Sequence, residues 1–376
     1  MAPKSRKPAP TTPSQTLVID NGAYTLKAGL VPKGATDLTY DNCTVIPNCI
    51  ARSARDKRTY VASELAECKD FGELAFRRPV EKGFIVNWEA EKAIWEHEFM
   101  SEADGGIGSV GEGLRCDPKS TSLLLTEKPN CPKELQKNCD EIVFEQFEFA
   151  SYYRCIGGAL NAYHPSSSSP PGTSLPQECL LLIDASYSDT TILPLYNGRV
   201  IHPATRRLTP GGKLLTNYLK ELSSLRHYNM LEETHLLNEI KEAVSFVAPS
   251  GQDFSRDLDR TWKGRLGDKQ SLDPSIVLDY VLPDYDASLH GHARPHNPLA
   301  SRLKHTLQQG PREDVLPLGN ERFAVPEILF HPSDIGIQEE GLPAAIMQSL
   351  AVLPEALKVG MLANVLVVGG TSLIPG

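Results

Sequence analysis

Two aspartates, Asp20 and Asp184, stand in matching surroundings 164 residues apart: LVIDNGAYTLKAGL (17–30) and LLIDASYSDTTILPL (181–195). Each segment reads as an apolar strand, an aspartate, a short turn and a second strand. Turn amides in such a hairpin can face phosphate oxygens, while the carboxylate holds a hydrated cation. A third run, Val365 to Val368, is followed by Gly369, Gly370 and Thr371, where backbone without a Cβ can approach a flat base. Singly, each is an ordinary strand with an acidic or glycine turn. Their joint order points to a duplicated phosphate clasp with a base-binding segment. Other reactive residues are weaker candidates. His290, His292, His296 and His305 lie in a Pro- and Gly-broken stretch without fixed ligand spacing, so a solvated loop is expected and no metal site. Ser186 and Ser188 lack a G-x-S-x-G elbow, so no nucleophile and no catalytic residue is assigned.

The elements that must position these residues alternate between strand and helix. Strands are expected at Thr16 to Ile19, Leu123 to Leu125, Leu180 to Ile183 and Val365 to Val368. One helix carries Leu135, Cys139, Ile142 and Val143, and another opens after Gly211-Gly212. A third carries Leu236, Leu237, Ile240, Ala243, Val244 and Val247. Trp88 and Trp95, seven apart on a helix opening after Asn87, read as core. Such interleaving indicates an α/β fold. The chain has 376 residues, 40% apolar and 23% charged, enough for two or three domains or one large bilobed fold. A net charge of −9 excludes a duplex-wrapping basic surface. Eight cysteines without a C-x-x-C pair read as reduced thiols, and apolar runs are far short of the ~18 residues a membrane span needs. Residues 1–15 read as a disordered basic tail, solubilising or serving nuclear import. The stretches 101–113, 163–178, 248–272 and 284–311 read as surface insertions, with the serine run 166–169 a flexible linker.

The three segments, in this order, resemble the actin superfamily. KGFIVNWEAEKAIWEHEF (82–99), LLLTEKPNCPKE (123–134), PGGKLLTNYLKEL (210–222) and NERFAVPEILFHPSDIGIQ (320–338) resemble actins rather than the related sugar kinases or chaperone ATPases. Within the actins, DNGAYTLKAGL, VIPNC, DYVLPDY and PSDIGIQEEGLP are similar to a nuclear actin-related branch found in Swr-type chromatin remodellers. The resemblance implies an actin-like bilobed fold, two duplicated ribonuclease-H-like domains around a nucleotide cleft. Its expected divisions are a small lobe at 16–162, a Ser/Pro-rich insertion at 163–178 and a large lobe at 179–376. The expected nucleotide contacts are Asp20, Gly22, Lys27, Asp184, Lys241, Glu242, Gly369, Gly370 and Thr371. Relatives continue for several dozen residues beyond the position of Gly376, so the large lobe is expected to be incomplete.

Departures from conventional actin point away from turnover. Ala23 and Tyr24 replace a small serine and glycine, so a bulky ring is expected at the phosphate turn, with a strained backbone. Ser186, Tyr187 and Thr191 replace a glycine, an aspartate and a histidine, and Glu141 falls at the expected position of a water-orienting glutamine. ATP or ADP with Mg2+ is then expected in a structural role only. Between Cys49 and Tyr60 the chain is about nine residues shorter than the actin loop that enters the next filament protomer, so no homopolymer is expected. The resemblance implies a non-catalytic subunit of a Swr-type complex that exchanges a Z-type histone variant. Its partners would be the motor ATPase, a capping subunit and histones or the nucleosome, with no membrane, in the nucleus and also the cytoplasm. An autonomous ATPase or kinase is the alternative.

Overall fold

The computed structural model describes residues 12–35, 38–55, 57–72, 74–100, 114–164, 175–261, 273, 275–285, 288–297 and 313–376. Most of the basic tail, the 101–113 stretch, the serine run and His305 lie outside the described residues. The chain divides into two compact units, Met1–Cys68 with Leu74–Ser166, and Lys69–Glu73 with Ser167–Gly376.

The first unit contains β1 (Gln15–Asn21), β2 (Thr25–Pro32), β3 (Thr44–Pro47), β4 (Ile50–Ser53), β5 (Thr59–Val61), β6 (Leu74–Arg77), β7 (Val80–Glu81), β8 (Phe84–Ile85), α1 (Trp88–Phe99), β9 (Thr121–Glu127), α2 (Lys133–Glu141), β10 (Ser151–Ile156) and α3 (Gly157–Leu160). Its main sheet has the order β10-β9-β1-β2-β3. Alternation places Leu17 and Ile19 of β1 and Leu123 and Leu125 of β9 in one core with Ile94, Trp95 and Phe99 of α1. The helix starts where Asn87 Oδ1 accepts the Ala90 N–H at 3.2 Å. Past α2 the chain runs on through a π-type turn, Ile142–Gln146, which carries Val143 into the same core. Strands β4 and β5 form a short hairpin closed by Ser53 N–H to Arg58 O at 2.9 Å.

The second unit contains β11 (Cys179–Ala185), β12 (Thr190–Tyr196), β13 (Arg199–Val200), β14 (Arg206–Leu208), α4 (Gly212–Arg226), α5 (Thr234–Val244), α6 (Gly251–Thr261), β15 (Leu278–Val281), β16 (His292–Pro295), β17 (Val315–Leu318), α7 (Glu321–Glu327), α8 (Leu342–Ala351), α9 (Glu355–Ala363) and β18 (Val365–Val368). One sheet runs β13-β12-β11-β18, with β14 also on β12, and a second runs β16-β15-β17. Leu215, Leu219, Leu237 and Ile240 of α4 and α5 meet Leu316 and Leu318 of β17 in one core. Leu181, Ile192, Leu350 and Met361 lie in another. Helix α5 stops at Val244, short of the expected Val247, because Ser245 turns extended and the Val247 N–H goes to Pro375 O at 2.7 Å.

The duplication read from the sequence is present in the pairing. Strand β1 pairs antiparallel with β2 and parallel with β9, and β11 pairs antiparallel with β12 and parallel with β18. Asp20 faces Lys27 across its hairpin and Asp184 faces Thr191 across its own. Among the described residues no helix is long and apolar enough to cross a membrane.

Candidate functional site

The first turn sits at the end of β1. Asp20 is half-exposed: one carboxylate oxygen accepts the Thr126 hydroxyl at 2.6 Å, and the other lies 3.9 Å from Lys27 Nζ. Gly22 is required sterically, since a Cβ there would sit 2.5 Å from the Thr25 carbonyl oxygen. The expected backbone strain at Tyr24 is not what the structure shows. Tyr24 has no positive φ, and its ring lies under the Arg78 guanidinium, 4.2 Å from carbon to centroid. A cation over the ring face fixes the side chain locally. The Tyr24 carbonyl accepts from Asn48 N–H at 2.9 Å and Arg78 Nη1 at 3.1 Å, and Gly22 O accepts from Asn48 Nδ2 at 2.8 Å.

Glu141 also falls elsewhere than expected. It closes α2, half-exposed and 3.7 Å from Lys137, on the helix face that propensity and i,i+4 pairing favour for a charge. The residue brought against Thr126, and so next to the hydroxyl that Asp20 accepts, is Gly157 at the end of β10. A Cβ built there would meet Thr126 Cβ at 3.0 Å. Gly157 has no side chain with which to orient water.

In the second unit the glycine segments converge on the Asp184 turn. Asp184 accepts the Ser186 hydroxyl at 2.5 Å. The N-terminal amides of α4 are taken by this turn: Gly212 N–H bonds Ser186 O at 3.1 Å and Lys213 N–H bonds Tyr187 O at 2.7 Å. Those two amides are therefore engaged within the protein rather than free for an anion. Gly211 packs so closely that a Cβ would lie 2.5 Å from Asp189 N. Gly369, at φ 97°, would bring a Cβ to 2.3 Å from Ala185 O, and Thr371 Oγ1 donates to Ser186 O at 3.3 Å. Gly370, by contrast, faces open space. The Thr191 hydroxyl is buried without a hydrogen-bond partner.

Lys241 is nearly enclosed, and its ammonium donates to Gly212 O, Thr216 Oγ1 and Asn238 Oδ1 at 3.2, 2.9 and 2.8 Å. Burial lowers its pKa to about 8. Glu242 is exposed and accepts Asn238 Nδ2 at 2.7 Å. The structure thus brings Asp184, Gly369, Gly370 and Thr371 to one turn and links Lys241 to α4, beside Glu242. In the first unit it gathers Asp20, Gly22 and Lys27. For a nucleotide the donor sets fit unequally. In the second unit Gly370 faces open space and Glu242 is exposed, while the Gly212 and Lys213 amides are engaged within the protein; in the first unit Lys27 already lies beside Asp20.

Two of these histidines have local partners. His296 Nδ1 lies 2.6 Å from Asp279 and His290 Nδ1 lies 3.5 Å from Glu239. Among the described residues no group of three His, Cys, Asp or Glu side chains is placed to hold a metal. Sequence reasoning missed Asn48, Arg78, Thr126 and Gly157. Asn48 lies in VIPNC, whose residues carry no signal of a contact with the turn.

Residues 11–376 match the actin family model. The chain is 49% identical to the actin-related protein 6 of Neurospora crassa over 383 residues, covering 100% of this chain and 82% of that protein. It is 46% identical to an actin-like protein arp6 of Emericella nidulans, with 98% and 82% covered. Against the actin-related protein 6 of Drosophila melanogaster the identity is 32%, with 96% and 82% covered. With paired hairpins, shared sheet order and a match that spans both units, the chain belongs to the actin family.

Proposed function

We propose that this chain is a structural, non-catalytic subunit of a Swr-type ATP-dependent chromatin remodeller that exchanges a Z-type histone variant into nucleosomes. The observation that carries the non-catalytic part is Gly157, which stands against Thr126 with no side chain to align an attacking water. The engaged amides of Gly212 and Lys213 support the same reading. ATP or ADP with Mg2+ then has a structural role only. The relatives' name, actin-related protein 6, supports assignment to the remodeller branch. On this reading the partners are the motor ATPase, a capping subunit and histones or the nucleosome. On the same reading the protein works in the nucleus and also in the cytoplasm, and the short β4–β5 hairpin favours a single copy over a filament.

The test is purification of the tagged protein from native extract, with mass spectrometry of the co-eluting chains and an ATPase assay of the isolated protein. A remodeller motor in the same fraction and no steady-state hydrolysis are expected. A free monomer or a homopolymer would overturn the assembly reading. Hydrolysis at an ordinary enzymatic rate, lost in Asp184→Asn, would favour the second reading, an autonomous ATPase or kinase, which the half-exposed Asp20 carboxylate keeps in view.

A further inference from the structure

Beneath the first turn lies a carboxyl group that the proposed function does not use. Glu91, on α1, is 0% exposed. Trp95 Nε1 donates to its Oε1 at 2.9 Å, and Asn48 Nδ2 reaches its Oε2 at 3.5 Å. The groups that face it are the Trp95 indole from α1, the Asn48 amide from the β3–β4 junction and the Asn21 amide from the end of β1. All three are neutral, and among the described residues no cation pairs with Glu91. An unpaired buried carboxylate is strongly disfavoured. Asn48 Oδ1 and both polar side-chain atoms of Asn21 are buried without a hydrogen-bond partner, so the cluster has polar atoms free to rearrange.

Asn48 is also the residue that fixes the turn. It is 0% exposed and anchors Gly22 O through its side chain and Tyr24 O through its N–H. Arg78 Nη1 bonds both Tyr24 O and Asn48 O, at 3.1 and 3.3 Å. One side chain thus touches both the buried carboxyl and the backbone that follows Asp20.

We propose that Glu91 is a proton-controlled latch for the first turn: as the neutral acid, a weak acceptor, it leaves the Asn48 amide on Gly22 O and the turn closed. As the carboxylate it draws the Asn48 amide toward itself, admits water and loosens the turn. Burial raises the Glu91 pKa to about 7, which puts the transition in the physiological range. The inference stands apart from the assembly reading, because it concerns the order of a turn whether or not a partner is bound.

The test uses the full chain labelled with 15N at tryptophan, with the indole resonance of Trp95 followed from about pH 5 to about pH 9 around the expected transition. Hydrogen exchange of peptides spanning residues 20–26 is measured in parallel, after correction for the intrinsic effect of pH. The expected result is a Trp95 midpoint near pH 7 and a roughly tenfold rise in opening of the turn as the pH climbs to that midpoint, levelling off beyond it, equivalent to about 1.4 kcal/mol. Glu91→Gln, which keeps a neutral polar group, should flatten both curves. A Trp95 resonance that does not titrate overturns the proposal, and this holds even if the variant fails to fold. So does a titrating Trp95 with no change in exchange, or a Glu91→Gln protein that titrates like the parent.

Discussion

The two aspartate hairpins share strand order, pairing sense and the distance from each aspartate to its cross-strand neighbour, yet their turns are held by unrelated means. In the first unit the turn backbone hangs on Asn48 and Arg78, which come from other strands and loops of the sheet layer. In the second unit it hangs on the start of α4 and on Thr371, so helix amides and glycine contacts do the same task. Opposite Asp20 stands an exposed lysine, and opposite Asp184 a buried threonine hydroxyl with no partner. A duplicated fold preserves what the sheet requires. The turn, whose backbone needs only some donor or acceptor, is free to diverge.

The sharpest way to break the second turn is Gly369→Ala. Positive φ and a Cβ 2.3 Å from Ala185 O should together cost about 4 kcal/mol or prevent folding, whereas Gly370→Ala next to it, with open space, should change stability by less than about 1 kcal/mol. Denaturant melts of the two variants compare them directly.

Buried titratable groups set the units apart by the sign of their pH response. Glu91 has its pKa raised from 4.5 to about 7, so the folded state keeps a proton that the unfolded state loses, and stability falls as pH rises through that window. Lys241 is lowered from 10.5 to about 8, so the folded state sheds its proton first, and stability rises from about pH 8 towards 10.5. Each swing is up to about 3 kcal/mol. Hydrogen exchange of α1 and of α5 across pH should therefore slope in opposite directions, and Glu91→Gln and Lys241→Met should each flatten only their own.

Adjacent residues on β12 give a smaller contrast. Thr190 donates to Pro210 O at 2.8 Å, so Thr190→Val should cost about 1–2 kcal/mol by orphaning that carbonyl. Thr191→Val removes a hydroxyl that already lacks a partner and should be neutral or stabilising by up to about 1 kcal/mol. Thermal melts with the same buffer decide it, and equal losses at both positions would mean that Thr191 has an unseen partner. The smallest effect is expected at Lys27. Its pair with Asp20 is long and half-exposed on both sides, so Lys27→Met should shift stability by less than about 0.5 kcal/mol in a denaturant titration.

Much of the frame was legible beforehand because it follows from local periodicity. Short continuous apolar runs marked β1, β9 and β11, and the expected strand Val365 to Val368 coincides with β18. Glycine pairs marked the start of α4 and the end of β18. The site was legible only where its residues are neighbours in sequence, as with Asp184 and Ser186, or Gly369 and Thr371. Glu141 was misplaced because counting along a chain does not reveal where a helix ends and the next strand begins. The π-type turn after α2 and the register of β10 on β9 bring Gly157, sixteen residues later, to Thr126.

By itself the sequence determined the α/β pattern, the duplication and the family, since each rests on apolar spacing and on ordered motifs that survive without coordinates. Tertiary structure decided the condition of the groups in the turns. Tyr24 is held in place because Arg78, 54 residues away, lies over its ring. Lys241 serves the protein's own oxygens because α5 packs against α4. Glu91 has its pKa moved to about 7 because α1 buries it against Asn48 and Trp95. Hydrogen bonding and desolvation depend on atoms a few ångströms apart, and chain folding sets those distances among residues that the sequence holds far from one another.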